Sequence, residues 1–95
     1  MNELKKLNIN RQVAEYISGK SEEVLSELYR DLQTEYKRKL DYWSKTTTMA
    51  NSHDMLALFD EALLSVLKDI EAKGGDFVKL FHLRLTSRHK DLLSK

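Results

Sequence analysis

Apolar residues recur every three or four positions along most of the chain, a spacing that places them on one face of an α-helix. The pattern is most regular in a long segment from about residue 22 to 45, whose apolar positions are Leu25, Leu28, Leu32, Tyr36, Leu40 and Trp43. At about 1.5 Å per residue such a helix is roughly 35 Å long. The spacing therefore predicts one long helix with a single buried stripe.

A shorter helix is predicted before this segment. We expect it to begin after Asn8–Asn10 and to end at Gly19, which suits a left-handed cap. Ser21 is then placed to cap the long helix, ahead of acidic residues in its first turn. The inner face of the first helix would be formed by Val13, Ala14 and Ile17.

Two further helices are predicted after the polar stretch KTTTMANS, which favours a loop and a cap. The third helix would end at the glycine pair of residues 74 and 75, and Asp76 would cap the fourth. The inner face of the third helix would be formed by Met55, Phe59, Ala62, Leu63, Val66 and Ile70, and Leu56, Leu58 and Leu67 would widen it. The fourth comprises Phe77, Leu80, Phe81, Leu85 and Leu92. We therefore predict an all-α protein, a single compact four-helix domain over residues 1–95.

Composition narrows the classes of function. The chain has no cysteine, which excludes disulfides, thiolate metal sites and cysteine nucleophiles. It also lacks an apolar run as long as a signal peptide or a membrane span, so we expect a cytoplasmic protein without a membrane partner. With 16 basic and 15 acidic residues the net charge is only +1, so a charged surface would have to arise from local clustering.

The sequence contains no strong catalytic or metal-binding pattern. His82 and His89 are seven positions apart and lack a nearby third ligand, which favours a solvent- or phosphate-facing role over a metal site. Asp60 and Glu61 are adjacent and project about 100 degrees apart on a helix, so they do not form an acid/base pair. No phosphate-binding glycine loop is present. We predict a binding protein with no enzymatic activity, metal or cofactor.

Charge is segregated between the last two predicted helices. The third carries five acids against Lys68, and the fourth is mainly basic. The helix dipole accounts for Lys90 and Lys95 near the C-terminus of the fourth helix, but not for Lys79 and Arg84 in its first half. A phosphate-binding face and a merely solvated basic face both remain open at this point.

The order of these segments resembles region 2 of bacterial RNA polymerase sigma factors, over about residues 13–95. The similar runs are VAEYISGKSEEVLSELYRDL, SHDMLALFDEALLSVLKDI and GGDFVKLFHLRLTSRHKDLL. Within them the family's short motifs are matched by Gly19–Lys20, Leu28–Tyr29, Ala57–Glu61, Gly75–Phe77 and Asp91–Leu93. The resemblance implies a module that binds core RNA polymerase and the minus-ten promoter element.

The resemblance also implies which residues make each contact. The third helix of such domains docks on the clamp helices of the largest polymerase subunit, which assigns that contact to Asp54, Asp60 and Glu61. The last helix engages the non-template strand of promoter DNA, which assigns that role to Lys79, His82, Arg84, Arg88 and Lys90. Charge reversal at Arg84 and Arg88 is then expected to abolish DNA binding and leave folding intact.

The sequence departs from the family pattern at positions that affect DNA opening, and these departures suggest a need for partners. Leu80 stands where the family commonly has Trp or Tyr, and the KGG loop is shorter than many base-capturing loops. We therefore expect that the chain does not open DNA alone and that it works with a further domain, a second sigma subunit or an anti-sigma factor. The alternative is a helical interaction domain that binds polymerase or a regulator without contacting DNA.

Overall fold

The computed structural model describes residues 2–46 and 52–93, with only the backbone described for Ser52, His53 and Leu93. The elements are all helical and span Glu3–Gly19 (α1), Glu22–Thr46 (α2), Ser52–Lys73 (α3) and Phe77–Leu93 (α4). The predicted all-α, four-helix class is confirmed. Most of the polar stretch predicted as the loop between α2 and α3 lies outside the described residues, as does Lys95.

The long helix α2 runs as its apolar spacing predicts. It begins directly after Ser21 and continues to Thr46, one residue beyond the predicted end. Its buried side chains are Leu28, Leu32, Tyr36, Leu40 and Trp43. Because these positions repeat every three or four residues, one unbroken stripe faces the core along almost the whole helix.

The prediction for α1 was wrong at its start, whereas its predicted end at Gly19 is confirmed. The helix begins at Glu3, because the Asn2 side chain caps it by accepting a hydrogen bond from the Lys5 backbone N–H at 2.8 Å. At the other end the left-handed residue is Lys20, with φ of 53°, and Gly19 stays helical. Ala14 is exposed, and the buried face of α1 is formed by Ile9, Gln12 and Val13.

The junction between α3 and α4 fixes the position of α1. Gly74 and Gly75 have positive φ values of 74° and 115°, which glycine adopts far more readily than other residues. Asp76 then caps α4, as predicted, by accepting a hydrogen bond from the Lys79 backbone N–H at 3.3 Å. Asn10 of α1 donates to the Asp76 carboxylate at 3.2 Å and accepts from the Val78 backbone N–H at 3.3 Å. These bonds tie the middle of α1 to the start of α4.

All four helices contribute to one hydrophobic core with Phe59 near its centre. The Phe59 ring meets those of Tyr29, Tyr36 and Phe81 edge to face, at centroid distances of 5.7, 6.3 and 5.3 Å. Tyr36 and Trp43, which the spacing predicts as core residues, are 7% and 9% exposed. The apolar positions predicted on α3 and α4 that are only half-buried are Leu58, Ile70, Leu80 and Leu92.

The helices of the bundle do not all pack equally closely, and a groove lies between the two that are furthest apart, α2 and α4. The helices α3 and α4 pack closely along each other, as do α1 and α2. By contrast, no Cα atom of α2 lies within 8 Å of one in α4 over the described ranges. Large side chains such as Tyr36, Phe81, Trp43 and His89 bridge these two helices instead. None of the described helices combines the length and apolar character needed to cross a membrane.

Candidate binding surfaces

The acidic residues of α3 and the basic residues of α4 pair directly across the interface between these helices. Arg84 donates from one guanidinium nitrogen to Ser65 Oγ and from the other to Asp69 Oδ2, the latter at 2.5 Å. One turn further along α4, Arg88 donates to Glu61 Oε1 at 2.7 Å. The charge segregation seen in the sequence is therefore partly mutual neutralisation between adjacent helices.

The electrostatics of Asp69 reflect this pairing. The hydrogen bond from Arg84 lowers the pKa of Asp69 below its ordinary value, and the positive charges of Arg84 and Lys73 act in the same direction. Sequence reasoning did not single out Ser65 or Asp69 as partners of Arg84, because three-dimensional packing alone sets the rotation of α3 relative to α4.

The three acids assigned to polymerase binding do not form one cluster. Asp54 and Glu61 border the same shallow hollow between α3 and α4, together with Arg88. Asp60 lies on the other side of α3, half-buried, where it accepts a hydrogen bond from the Tyr29 hydroxyl of α2 at 2.5 Å. Burial, this hydrogen bond and the charge of Asp60 raise the pKa of Tyr29 to about 12. Asp60 therefore has a structural contact that the sequence did not predict.

The open space between α2 and α4 forms a groove of about 540 Å³ that is rich in cationic side chains. Two of the residues assigned to DNA binding, Lys79 and His82, line it. Lys39 of α2 and Lys6 of α1 lie on the same groove and were missed in the sequence. The position of Lys39, three residues after Tyr36 and so at the edge of the buried stripe, is the signal that could have identified it.

Two acids also border this cationic groove, but each already has a partner. Glu35 forms an ion pair with Lys5 at 2.9 Å. Asp76 accepts the hydrogen bonds from Asn10 and from the start of α4 described above. The groove therefore keeps a cationic character between its walls.

Comparison of the chain with protein families, with curated proteins and with solved structures gives no match. Over the part of the chain that the structure describes, histidines and carboxylates do not gather in threes at a possible metal site.

A stacked pair of aromatic side chains lies further along the space between α2 and α4. The rings of Trp43 and His89 are almost parallel, at 8°, with centroids 3.9 Å apart. Lys39 Nζ lies 5.5 Å from the centroid of the Trp43 ring, which places it in cation–π range. His89 is 8% exposed, and sequence reasoning missed its burial because histidine and its basic neighbours are typical of a solvated face. Lys90, the next residue, is exposed in the last turn of α4.

Burial, and to a lesser extent the charge of Lys39, lower the pKa of both His82 and His89 below the ordinary value of 6.5. As pH falls, the unfolded chain therefore takes up these protons before the folded protein does. Their contribution to stability is present above pH 6.5 and is lost as the pH falls towards the lower pKa of the folded state.

We expect His89→Phe, which keeps a ring against Trp43, to reduce the loss of stability between about pH 7.5 and about pH 5.5. The measurement is urea unfolding at both pH values, followed through the fluorescence of Trp43, the single tryptophan of the chain. The variant His82→Gln separates the contribution of the second histidine. An equal loss of stability in the wild type and in His89→Phe would show that His89 does not couple folding to pH.

Proposed function

We propose that this chain is a sigma factor-like module of transcription initiation, which binds core RNA polymerase and minus-ten promoter DNA and has no enzymatic activity of its own. The observation that supports the proposal best is the cationic groove between α2 and α4. It brings Lys39 and Lys79 from different helices together on one surface, while Glu61 and its neighbours occupy a separate surface on α3. The order of the sequence motifs supports the same division between DNA and polymerase.

The groove suits a single strand better than a duplex. A volume of about 540 Å³ holds a few nucleotides at most, whereas a duplex would need a far broader surface. Cations along such a groove bind phosphates and release counterions, and aromatic side chains offer stacking surfaces for unpaired bases. Lys79 is exposed, and neither it nor Lys39 forms an ion pair with a carboxylate within the described ranges. Lys79 is therefore open to a phosphate, and Lys39, which is half-buried near the Trp43 ring, has no carboxylate in these ranges that competes for its charge.

The arginines of α4 are weaker candidates for this role. The guanidinium of Arg84 already binds Ser65 and Asp69, and only 26% of its side chain is exposed. Transfer of this guanidinium to a phosphate would break both contacts. We therefore place the main DNA contacts at Lys39, Lys79 and His82 and give Arg84 the role of holding α4 against α3.

The polymerase contact is proposed on the exposed stripe of α3. Ala57, Glu61 and Leu64 follow one another at helical spacing, and Leu64 is 57% exposed although it is a large apolar side chain. In protein interfaces such apolar side chains supply affinity, and nearby charges set orientation and association rate. Glu61 and Asp54 would face basic residues of the clamp helices, with Leu64 as the apolar anchor.

The test of the DNA contact uses core polymerase and a fluorescent fork-junction promoter DNA. The wild-type complex should form and weaken as salt increases. The double variant Lys39→Glu with Lys79→Glu should keep polymerase binding and lose at least about tenfold in DNA affinity, because two cations become anions facing phosphates. The matched control is Arg38→Glu with Lys45→Glu, since both side chains are exposed and lie outside the groove. Equal DNA binding by all three proteins would refute the assignment of the groove.

One observation favours a second candidate function. The pairing of Arg84 and Arg88 with acids of α3 gives a structural reason for basic residues on α4 without any DNA. A helical interaction domain that occupies polymerase or a regulator would keep the stripe at Leu64 and have no use for the cationic groove. Polymerase binding that is lost in Leu64→Asp, with no DNA signal in any variant, would establish this alternative.

A further inference from the structure

A second groove, of about 370 Å³, lies between α2 and α3. Its floor is apolar and consists of Leu40, Met55 and Leu56. Leu40 and Met55 are 7% and 1% exposed, but Leu56, which the apolar spacing places towards the core, is 41% exposed. Leu56 therefore provides most of the accessible apolar surface among these three residues, and Met55 and Leu40 support it from the core. This groove does not involve α4, so it is separate from the DNA contact proposed above and does not depend on it.

Two cations border the apolar floor on the α2 side. Arg30 and Lys37 are seven positions apart, so they lie on the same side of the helix and roughly 10 Å apart along its axis. Both are exposed, and neither forms an ion pair with a carboxylate in the described ranges, in contrast to Arg84 and Arg88. Asp41 borders one end of the groove.

The surroundings of the groove define the charge that it would accept. At its other end Gln33 donates to the Tyr29 hydroxyl at 3.3 Å, and this hydroxyl donates in turn to Asp60. The carboxylate of Asp60 is thus held behind Tyr29. Along the groove as a whole, within the described part of the chain, the two unpaired cations Arg30 and Lys37 outnumber the single carboxylate of Asp41.

We infer that this groove binds an amphipathic helix of a protein partner, with a large apolar side chain against Leu56 and two carboxylates about seven residues apart that pair with Arg30 and Lys37. In a helix lying along α2, carboxylates seven residues apart have the same spacing as the two cations. In an extended peptide the same two residues would be much further apart. At the Asp41 end the partner carries an amide or a cation.

Nucleic acid fits the groove less well than an acidic helix. No aromatic ring is among the described residues that line it, so unpaired bases would lack a stacking surface. Asp41 would also repel a phosphate backbone that followed the groove to its end. The combination of an apolar floor with two isolated cations matches carboxylates on an apolar helix face instead.

The test uses the full 95-residue chain and two synthetic helical peptides of about 18 residues, a length at which designed helices can form in water. Both carry the same leucines along one face; one has glutamates and the other lysines at two flanking positions about seven residues apart. Binding is followed by NMR of the methyl groups of Met55, Leu40 and Leu56. The acidic peptide should shift these methyls and bind at least about tenfold more tightly than the basic peptide.

Charge reversal at the groove should invert this preference. Arg30→Glu with Lys37→Glu is expected to bind the basic peptide more tightly than the acidic one. The matched control is Arg38→Glu with Lys45→Glu, the same change of charge at the same spacing on another part of the α2 surface. Thermal unfolding verifies that both variants fold.

Several results would overturn the inference. One is equal affinity for the two peptides, and another is an unchanged preference in Arg30→Glu with Lys37→Glu. A single-stranded oligonucleotide that shifts the same methyls more strongly than the acidic peptide would make this a nucleic-acid surface. Concentration-dependent dimerisation that shifts these methyls in the absence of peptide would make a second copy of the chain the occupant.

Discussion

Replacement of Phe59 by alanine is expected to lower the free energy of unfolding by about 3–5 kcal/mol. Phe59 is fully buried, and its ring contacts three other aromatic rings from α2 and α4. Its removal would leave a cavity where these helices meet. The free energy gained by transferring the ring from water to the core is then lost together with its packing and edge-to-face contacts. Because small domains are stable by only about 5–15 kcal/mol, this one substitution would leave the fold marginal.

The matched control for Phe59 is another aromatic residue on the surface. Tyr42 is 64% exposed, so Tyr42→Ala should change the free energy of unfolding by no more than about 0.5 kcal/mol. Urea unfolding of both variants, followed by circular dichroism, measures the difference. A loss of less than about 1 kcal/mol in Phe59→Ala would mean that the helices close over the vacated space and that Phe59 is not central to the core.

Charge reversal of Arg84 and Arg88 together is expected to destabilise the folded protein, with a clearly lower midpoint of thermal unfolding. Each substitution would place a carboxylate against an existing acid of α3, Asp69 or Glu61, and would also remove the donor to Ser65. Repulsion then replaces attraction at two points along the interface between α3 and α4. The sequence alone led to the opposite expectation, that folding would be unaffected.

A charge swap provides the decisive comparison for these arginines. Addition of Asp69→Arg and Glu61→Arg to the double variant restores two opposite-charge pairs and should recover most of the lost stability. The control Arg38→Glu with Lys45→Glu makes the same change in net charge away from this interface and should have a much smaller effect. If the swap fails to recover stability, or if the control is equally destabilised, net charge and not specific pairing would govern the result.

This result affects how the proposed function should be tested. A loss of DNA binding in the variant with both arginines reversed could reflect either lost phosphate contacts or a displaced α4. Lys39 and Lys79 avoid that ambiguity because neither takes part in the interface between α3 and α4. Their replacement therefore tests the cationic groove while leaving the ion pairs in place, although it also removes the contact of Lys39 with the Trp43 ring.

The structure arranges the candidate surfaces around the long helix α2 and its neighbour α3. One side of α2 borders the cationic groove with α4, and another side borders the apolar groove with α3. The exposed stripe at Leu64 lies on α3. Within the described ranges the two grooves and the stripe at Leu64 have no residue in common, so each proposed contact can be altered without changing the other two.

Most of the helix boundaries and most of the core residues can be predicted from the amino-acid sequence. The three- to four-residue spacing from Leu25 to Trp43 predicted α2, the glycine pair and Asp76 predicted the break before α4, and Phe59 and Phe81 were placed in the core. These features depend on local backbone preference and on which face of a single helix is apolar. Both are determined by residues that are close together in the sequence. The start of α1 was missed because its first turns carry few buried residues and depend on a cap at Asn2.

The pairing of charged residues, by contrast, depends on how the helices pack in three dimensions. The sequence grouped Arg84 and Arg88 with Lys79 and His82, since all four lie on one basic helix. The structure separates them, because the rotation of α4 in the bundle turns the arginines towards acids of α3 and the other two towards α2. That rotation is set by packing between residues distant in sequence, such as Phe59 with Phe81 and Trp43 with His89. The pattern along one helix fixes its apolar face, but the partner of each polar side chain depends on how the helices dock.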